Sequence, residues 1–283
     1  MIEWSFTGSK AFNKCQRQWF YRNFVANANA KKDPVRRESY ILSKLQTVYS
    51  WRGHLVDRVI SKEIVPLLER GGSPTPKAVI GVARELFEKQ RAFAMSHRVR
   101  EPEFTKVDDS FAAFTAIEYG TGVSEDDLKR AWEEVEMALL NFLGMRELLD
   151  ELRHAAKLMP QRTLNFSILN AKAEARPDLV ALYAGRPPLI VDWKVHTFGT
   201  TDYRQQLAAY GLALERCPPH KDYAGLWRSW LATQMRLLEV QLLTGKTGVV
   251  NEAWIEFWRN PGGYVDWEKK NVDLLKEECQ RDA

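Results

Sequence analysis

Two short apolar segments joined by a turn constrain the fold of this chain more than any other feature. They lie in the stretch EARPDLVALYAGRPPLIVDWK, residues 174–194, and the Ala-Gly-Arg-Pro-Pro between them has turn chemistry. The segments are rich in aliphatic and β-branched residues, which predicts two antiparallel strands of one hairpin. If the hairpin turns symmetrically about Gly185, Asp178 lies directly opposite Asp192.

This hairpin also predicts an unusual charge arrangement. Alternate residues of a strand share a face, so Asp192 and Lys194 point the same way. Two like charges facing each other across an antiparallel pair are destabilising. A hard divalent cation reconciles them, because Mg²⁺ is bound by one or two carboxylates together with waters and substrate phosphates. The alternative is an ion-paired strand edge with no catalytic role.

Composition places the chain among globular proteins. At 283 residues, with 45% hydrophobic and 28% charged residues, it can bury a large core in one domain or in a core with an insertion. The sequence has neither a membrane-spanning apolar run nor a secretory signal, so we expect a cytoplasmic protein with no membrane partner. Cys15, Cys217 and Cys279 form no CxxC pair, which argues against a disulfide framework and a zinc site.

The N-terminal region is basic. Residues 1–60 hold eleven Lys or Arg against four acids. Phe12, Cys15 and Trp19 recur at the spacing of one buried helical face. A polyanion such as nucleic acid suits the opposite face, and a merely solvated surface is an equal alternative. The residues predicted to bind nucleic acid are Lys10, Lys14, Arg17 and Tyr21.

The periodicity changes near residue 160. Before it, helices are predicted at about 44–68, from Pro76 onwards, and as a long helix or helical pair from Ser124 to just before Pro160. After it, strand-like segments surround a helix, DYRQQLAAYGLALER, and a last helix is predicted at 251–260. The chain therefore contains both helices and strands, as an α/β fold does.

Four blocks of the sequence resemble the RecB-like branch of the PD-(D/E)xK nuclease superfamily. Pro177-Asp178 followed by Asp192-Trp193-Lys194 resembles the signature of that superfamily, and Gln206-x-x-x-Tyr210 resembles the QxxxY motif of the branch. SFTGSKAFNKCQRQWFYRNF resembles its opening helix, and WRGHLVDRVI its glycine-led helix.

The resemblance implies a restriction-endonuclease-like core, in which helices flank a central mixed β-sheet, with a large helical N-terminal or inserted region. We therefore expect one nuclease domain over residues 1–283, a helical insertion at roughly 65–165, and a catalytic sheet core at roughly 166–260 that includes the QxxxY helix.

The resemblance also implies roles for individual residues. Asp178, Asp192 and the backbone carbonyl of Trp193 would hold one or two Mg²⁺ or Mn²⁺ ions. Lys194 would position the attacking water or stabilise developing charge. Gln206 and Tyr210 would orient the scissile strand or support Lys194, and these two with Asp178, Asp192 and Lys194 form the predicted catalytic set.

The sequence departs from the family pattern at two points. Asp57 occupies the position where the family usually has a histidine, so we expect it to be a metal ligand, while His54 one turn earlier is a weaker candidate. Glu174 is another weak candidate, for a second metal, and a solvated glutamate is the alternative.

Some relatives bind an iron-sulfur cluster through four cysteines; Cys15 matches the first position but the others do not follow, so no cluster is expected.

The implied function is a metal-dependent DNA nuclease that acts on ends or single strands, as an exonuclease in repair, recombination or phage defence. DNA is the expected partner, together with a helicase or other protein. The alternatives are an inactive nucleic-acid-binding or assembly module on the same scaffold, and the same chemistry on RNA. The sequence predicts no particular oligomeric state.

Overall fold

A computed structural model describes residues 4–101, 103–104, 107–168, 171–196, 202–219, 226 and 230–250. The chain divides into two compact units. The sheet unit comprises Met1–Lys10, Val65–Ser73 and Met145–Ala283. The helical unit comprises Ala11–Ile64 and Pro74–Gly144.

The first half of the chain is mainly helical, as predicted. The helices are α1 (Phe6–Lys14), α2 (Gln16–Phe20) with a π-helical extension (Tyr21–Val25), α3 (Pro34–Lys44), α4 (Val48–Val59) with a π-helical segment (Ile60–Ile64), α5 (Val65–Glu69), α6 (Pro76–Met95), α7 (Thr115–Glu118), α8 (Glu125–Gly144), α9 (Arg146–Arg153) and, later, α10 (Asp202–Arg216).

Capping residues explain where several of these helices begin. The side chain of Asp33 accepts a hydrogen bond from the backbone N–H of Arg36 at 3.1 Å and precedes Pro34, the first residue of α3. Thr75 caps α6 in the same way, again with a proline after it. A capping side chain satisfies one of the free N–H groups of the first turn, and proline there loses no hydrogen bond.

The α2 region corrects one expectation. Cys15, predicted on the buried face of a first helix, is exposed, while Phe12 and Trp19 are buried. The helix breaks at Cys15, which has extended backbone (φ −163°, ψ 101°) and accepts the backbone N–H of Gln18 on its sulfur. Cys15 is therefore the N-cap of α2 rather than a core residue.

Aromatic packing forms the core of the helical unit, where α4, α6 and α8 contact one another. Trp51 is 4.6 Å from Phe87 and 4.9 Å from Phe114, measured between ring centroids. The indole N–H of Trp51 donates to Gln90 Oε1 at 2.5 Å, so its one polar atom is satisfied. Burial of these large rings stabilises this unit.

Within the described residues, the sheet unit contains eight strands in two sheets. They are β1 (Trp4–Ser5), β2 (Lys157–Pro160), β3 (Leu164–Ile168), β4 (Ala171–Ala175), β5 (Leu179–Leu182), β6 (Leu189–Lys194), β7 (Arg236–Gln241) and β8 (Lys246–Val249). One sheet has the order β1-β4-β3, and the other has the order β2-β5-β6-β7-β8. The larger sheet is mixed, because β6 and β7 are parallel and its other pairs are antiparallel.

The predicted hairpin register is confirmed. In the β5–β6 pair, Leu179 lies opposite Val191 and Ala181 opposite Leu189. Gly185 has φ +89°, a left-handed conformation that glycine adopts without a steric penalty. Continued by one step, this register places the residue before β5, Asp178, at the level of Asp192.

Helix α10 connects the parallel strands β6 and β7 and packs on both. Its Gly211 allows close contact, since a Cβ atom built there would lie 3.4 Å from Leu237 of β7 and 3.3 Å from Ala232. The helix Asp202–Arg216 matches the predicted segment DYRQQLAAYGLALER residue for residue. It places Gln206 and Tyr210 in the sheet unit.

Several boundaries differ from the sequence expectations. The helical pair expected to reach Pro160 ends at Arg153, and 157–160 forms β2 instead. Helix α3 was not predicted from the sequence. The helix predicted at 251–260 and Cys279 lie outside the described residues. The proposed division into an insertion at 65–165 and a core at 166–260 stays a prediction. Within the described ranges, no helix is both long and apolar enough to cross a membrane.

Candidate active site

The carboxylate of Asp178 lies beside the backbone of β6. Its Oδ2 accepts a hydrogen bond from the backbone N–H of Trp193 at 2.9 Å. The N–H and C=O groups of one strand residue point to the same side, so the carbonyl of Trp193 also faces the strand that Asp178 precedes. The Asp178 carboxylate is thus held against the β6 backbone at Trp193.

Gln161 fixes Asp178 from the other side. Its side-chain amide donates to Oδ1 of Asp178 at 3.0 Å, and its backbone N–H donates to the carbonyl of Asp178 at 2.9 Å. Gln161 has φ +51°, a left-handed conformation that is uncommon for a residue other than glycine. The sequence analysis missed Gln161, because no local pattern connects it to the hairpin.

Asp192 is buried in β6, where its side chain forms an ion pair with Lys194. The residue is 1% exposed, and Lys194 Nζ lies 2.5 Å from its Oδ2. Burial raises the pKa of Asp192, and the positive charges of Lys194, His196 and Lys10 oppose that shift. Despite the close ammonium group, Oδ2 of Asp192 is a buried oxygen with no hydrogen bond of acceptable geometry in the described part of the chain.

Lys194 continues into a chain of hydrogen bonds on α10. Its Nζ donates to Gln206 Oε1 at 3.2 Å, and Gln206 Nε2 donates to the Tyr210 hydroxyl at 2.6 Å. Burial alone lowers the pKa of Lys194, but the surrounding carboxylates, led by Asp192, outweigh it and raise the pKa. Burial raises the pKa of Tyr210 as well. The lysine is therefore a cation at neutral pH in the metal-free protein.

A second buried acid stands next to Asp192. Glu239 of β7 is 3% exposed and pairs in register with Asp192, while Gln241 pairs with Lys194. Gln241 donates a hydrogen bond to Glu239 Oε1. Burial raises the pKa of Glu239, and the negative charge of Asp192 adds to the increase. The sequence signal for Glu239 was available, since an acid inside the apolar run MRLLEVQLL resembles Asp192 inside PLIVDWK.

Three further candidates are on other elements of the chain. Asp57 is half-buried on α4, in the helical unit, and its Oδ1 accepts a hydrogen bond from Ser61 at 3.2 Å. His54 is exposed on the same helix, with Nδ1 2.8 Å from Gln46 Oε1. Glu174 is half-buried on β4, in the smaller sheet. Metal ligation by any of these three residues stays a prediction.

The predicted nucleic-acid-binding residues are all exposed. Because the helix breaks at Cys15, Lys10 and Lys14 lie on α1, whereas Arg17 and Tyr21 lie on α2 and its extension. The Arg17 guanidinium is 5.9 Å from the centroid of the Tyr21 ring. The single stripe expected from one continuous helix is therefore divided into two pairs.

The chemistry of the donor set fits a hard divalent cation. Among the described residues, no group of three or more His, Cys, Asp or Glu side chains is arranged to hold a metal ion. Mg²⁺ needs fewer, because it keeps several waters and takes one or two carboxylates. Asp178 and Asp192 supply two carboxylates, and Oδ2 of Asp192 is a buried oxygen that contacts the Lys194 ammonium at 2.5 Å without hydrogen-bond geometry.

Helices flank a mixed sheet whose central strand β6 carries an acid-x-lysine unit, and a second acid precedes its hairpin partner β5. This arrangement defines a restriction-endonuclease-like protein. The family comparison agrees with this class. A model of the PD-(D/E)XK nuclease superfamily matches residues 3–269, and the chain belongs to that superfamily. Comparison with curated proteins gives no match.

Proposed function

We propose that this protein is a divalent-metal-dependent nuclease that hydrolyses phosphodiester bonds of DNA at the Asp178–Asp192–Lys194 site. The observation that carries the proposal is the buried carboxylate of Asp192, which pairs with Lys194 beside a second carboxylate that the β6 backbone holds in place. A structural ion pair needs no such third charged group.

The proposal assigns metal ligation to Asp178, Asp192 and the carbonyl of Trp193, with Asp57 as a further ligand. One or two Mg²⁺ or Mn²⁺ ions bound there would lower the pKa of a water, polarise the phosphate and neutralise the leaving oxygen. The carboxyl groups of Asp178, Asp192 and Glu239, clustered around Lys194, favour binding of such a cation.

Lys194 acts as a cation rather than as a base. In the metal-free protein the neighbouring carboxylates outweigh burial and raise its pKa, and with a metal bound its ammonium would stabilise negative charge that develops on the phosphate oxygens. Gln206 accepts one of its N–H groups at 3.2 Å and thereby fixes the direction of the ammonium. Tyr210 accepts from Gln206 and supports that orientation from inside the protein.

We further propose that the enzyme acts on DNA ends or single strands as an exonuclease, in repair, recombination or phage defence. A helicase or another protein that opens the duplex is the partner suited to this activity. The exposed basic residues Lys10, Lys14 and Arg17, with Tyr21, support a polyanionic substrate.

Cleavage of labelled DNA tests the function. End-labelled linear DNA, closed circular DNA, single-stranded DNA and single-stranded RNA are incubated with the protein and Mg²⁺ or Mn²⁺. We expect linear and single-stranded DNA to be degraded from their ends, closed circles to survive, and EDTA, Asp192→Ala or Lys194→Ala to stop the reaction. Salt-sensitive DNA binding without turnover, unchanged by Asp192→Ala, would show a binding module instead, and exclusive cleavage of RNA would transfer the chemistry to RNA.

A further inference from the structure

A cavity in the helical unit has a positively charged wall. It has a volume of about 600 Å³ and is lined by parts of α2 with its π-helical extension, α3 and α7. Arg17 and Arg22 contribute to the wall, and none of the described residues that line it is acidic. No ion pair joins either arginine to an acid within the described ranges.

Two other cavities of the same unit show that this charge is specific. A cavity of about 390 Å³ is lined by two arginines and two acids, which are Arg52, Arg130, Asp127 and Glu134. A cavity of about 470 Å³ is lined by two basic residues and four acids, which are Arg58, Lys89, Glu63, Glu85, Asp108 and Asp109. The first is balanced and the second is negative, so an anion would bind best in the Arg17–Arg22 cavity.

The nearby acids are already paired with a different arginine. The side chain of Glu118, the last residue of α7, is 2% exposed, and its Oε2 lies 2.6 Å from Nε of Arg100. Glu38 of α3 lies 3.1 Å from the same guanidinium. The positive field extends to Lys44, whose pKa is lowered by burial and by the charge of Arg22. The two arginines of the cavity are therefore available to an external anion.

Two tyrosines at this cavity have exposed side chains. Tyr119 is 64% exposed and Tyr21 is 37% exposed. Both line the cavity together with the arginines. An exposed aromatic ring beside cationic groups suits a nucleic-acid strand, because unpaired bases stack on the ring while the phosphates contact the cations. A duplex hides the faces of its bases in its own stack and cannot use the rings in this way.

We propose that this cavity binds single-stranded nucleic acid, with Arg17 and Arg22 contacting phosphates and the rings of Tyr21 and Tyr119 stacking on unpaired bases. The inference rests on the proposed nuclease function and specifies a single strand as the form of its substrate. It assigns a role to Arg22 and Tyr119, which the sequence pattern did not single out.

Binding without turnover tests the cavity. The affinity of the full chain for a fluorescein-labelled single strand of about 16 nucleotides is measured by anisotropy in EDTA over a series of salt concentrations. We expect the double variant Arg17→Ala/Arg22→Ala to bind about tenfold or more weakly and to lose about 1.4 from the salt slope, because each phosphate contact on a single strand contributes about 0.7. Tyr119→Ala should bind about fivefold or more weakly with an unchanged slope.

Matched controls come from the balanced cavity of the same unit. Arg130→Ala and Tyr49→Ala remove an exposed arginine and a tyrosine that is 59% exposed, and both should bind as the wild type does. Equal melting temperatures of all variants would establish that they are folded. The double variant is also tested with a single-stranded RNA of the same sequence. If it loses binding to that RNA, the result supports the cavity as a binding site, with RNA as its ligand.

The proposal is overturned if the double variant binds like the wild type, if the two controls weaken binding as much, or if a blunt duplex of equal length binds as tightly as the single strand. These outcomes are separate from failure of the nuclease function. If the protein cleaves DNA but binds it independently of Arg17 and Arg22, only the cavity proposal is refuted. If the protein binds nucleic acid through the cavity but cleaves it with no metal, the proposed nuclease function is refuted.

Discussion

Asp192 and Glu239 occupy paired positions on the parallel strands β6 and β7, and both carboxyl groups are buried. Side chains at paired positions of adjacent strands project from the same face of the sheet. Two acids at such positions repel each other when both are ionised, and the ammonium of Lys194 offsets part of that repulsion. Glu239 therefore belongs to the electrostatic environment of the site, although no sequence motif includes it.

Substitution of Glu239 should affect stability and metal binding in opposite directions. Glu239→Gln removes a buried charge next to Asp192, so we expect the metal-free protein to be more stable by about 1 kcal/mol. The loss of negative charge should weaken Mn²⁺ binding about threefold or more, since about 1.4 kcal/mol corresponds to a factor of ten. Urea unfolding and calorimetric titration measure the two effects.

The control for this substitution is Glu147→Gln, which changes an exposed glutamate of α9 in the same unit. It should alter neither quantity. A less stable Glu239→Gln protein with wild-type affinity for Mn²⁺ would show that Glu239 has only a structural role.

The hydrogen-bond chain on α10 predicts a graded loss of activity. Gln206→Ala removes the acceptor that directs Lys194, so we expect cleavage to slow about tenfold, in line with the loss of one charge-assisted hydrogen bond of about 1.5 kcal/mol. Tyr210→Phe removes only the hydroxyl that accepts from Gln206, and its effect should be smaller, about threefold. Single-turnover rates at saturating metal compare the two.

Tyr183→Phe is the matched control, because it removes another buried tyrosine hydroxyl of the sheet unit, one outside the Lys194–Gln206–Tyr210 chain. It should leave the rate unchanged. A Gln206→Ala enzyme with the wild-type rate would contradict a positioning role for this residue.

A side chain at the turn of the β5–β6 hairpin should destabilise the protein through backbone strain. At Gly185, φ is +89°, so Gly185→Ala strains the backbone and should destabilise the protein by about 1–2 kcal/mol. Gly81→Ala is the opposite case, because it lies inside α6 and a Cβ there meets nothing within 4 Å. It should stabilise the protein by up to about 1 kcal/mol through helix propensity. Chemical denaturation of both variants checks the pair, and equal effects would contradict the turn geometry.

One ion pair of the helical unit predicts a pH dependence of stability. Arg58 donates to both carboxylate oxygens of Asp109, at 2.9 and 2.7 Å, and this hydrogen bonding lowers the pKa of Asp109. A lowered pKa contributes stability above the ordinary value of 3.8, and this contribution is lost as the pH falls through the lowered pKa. Because the carboxylate is exposed, Asp109→Asn should cost at most about 1 kcal/mol at neutral pH.

At a pH well below the lowered pKa, the wild type and Asp109→Asn should have the same free energy of unfolding. Glu133→Gln, an exposed acid of α8, serves as the control and should show no comparable pH-dependent difference. A stability difference for Asp109→Asn that stays constant from neutral to acidic pH would contradict the role of this ion pair.

The sequence predicted local features well and contacts between distant segments poorly. The register of Leu179 with Val191 follows from one turn and two short strands, so periodicity and turn chemistry determine it. The pairing of Glu239 with Asp192 depends on a crossover through α10, which no local pattern encodes. Strand β1, Trp4–Ser5, pairs with distant β4 and is too short to have a periodicity. Cys15 matched helical spacing, but its capping hydrogen bond ended the helix there.

Mn²⁺ binding to Asp178 and Asp192 tests the central claim most directly. Electron paramagnetic resonance counts the Mn²⁺ ions bound to the wild type, Asp178→Asn, Asp192→Asn and, as the control, Glu147→Gln. We predict one or two ions on the wild type and on the control, and an affinity at least about tenfold lower in each aspartate variant, because each loses one carboxylate ligand. Equal stoichiometry and affinity in all four proteins would contradict a cation shared by these two carboxylates.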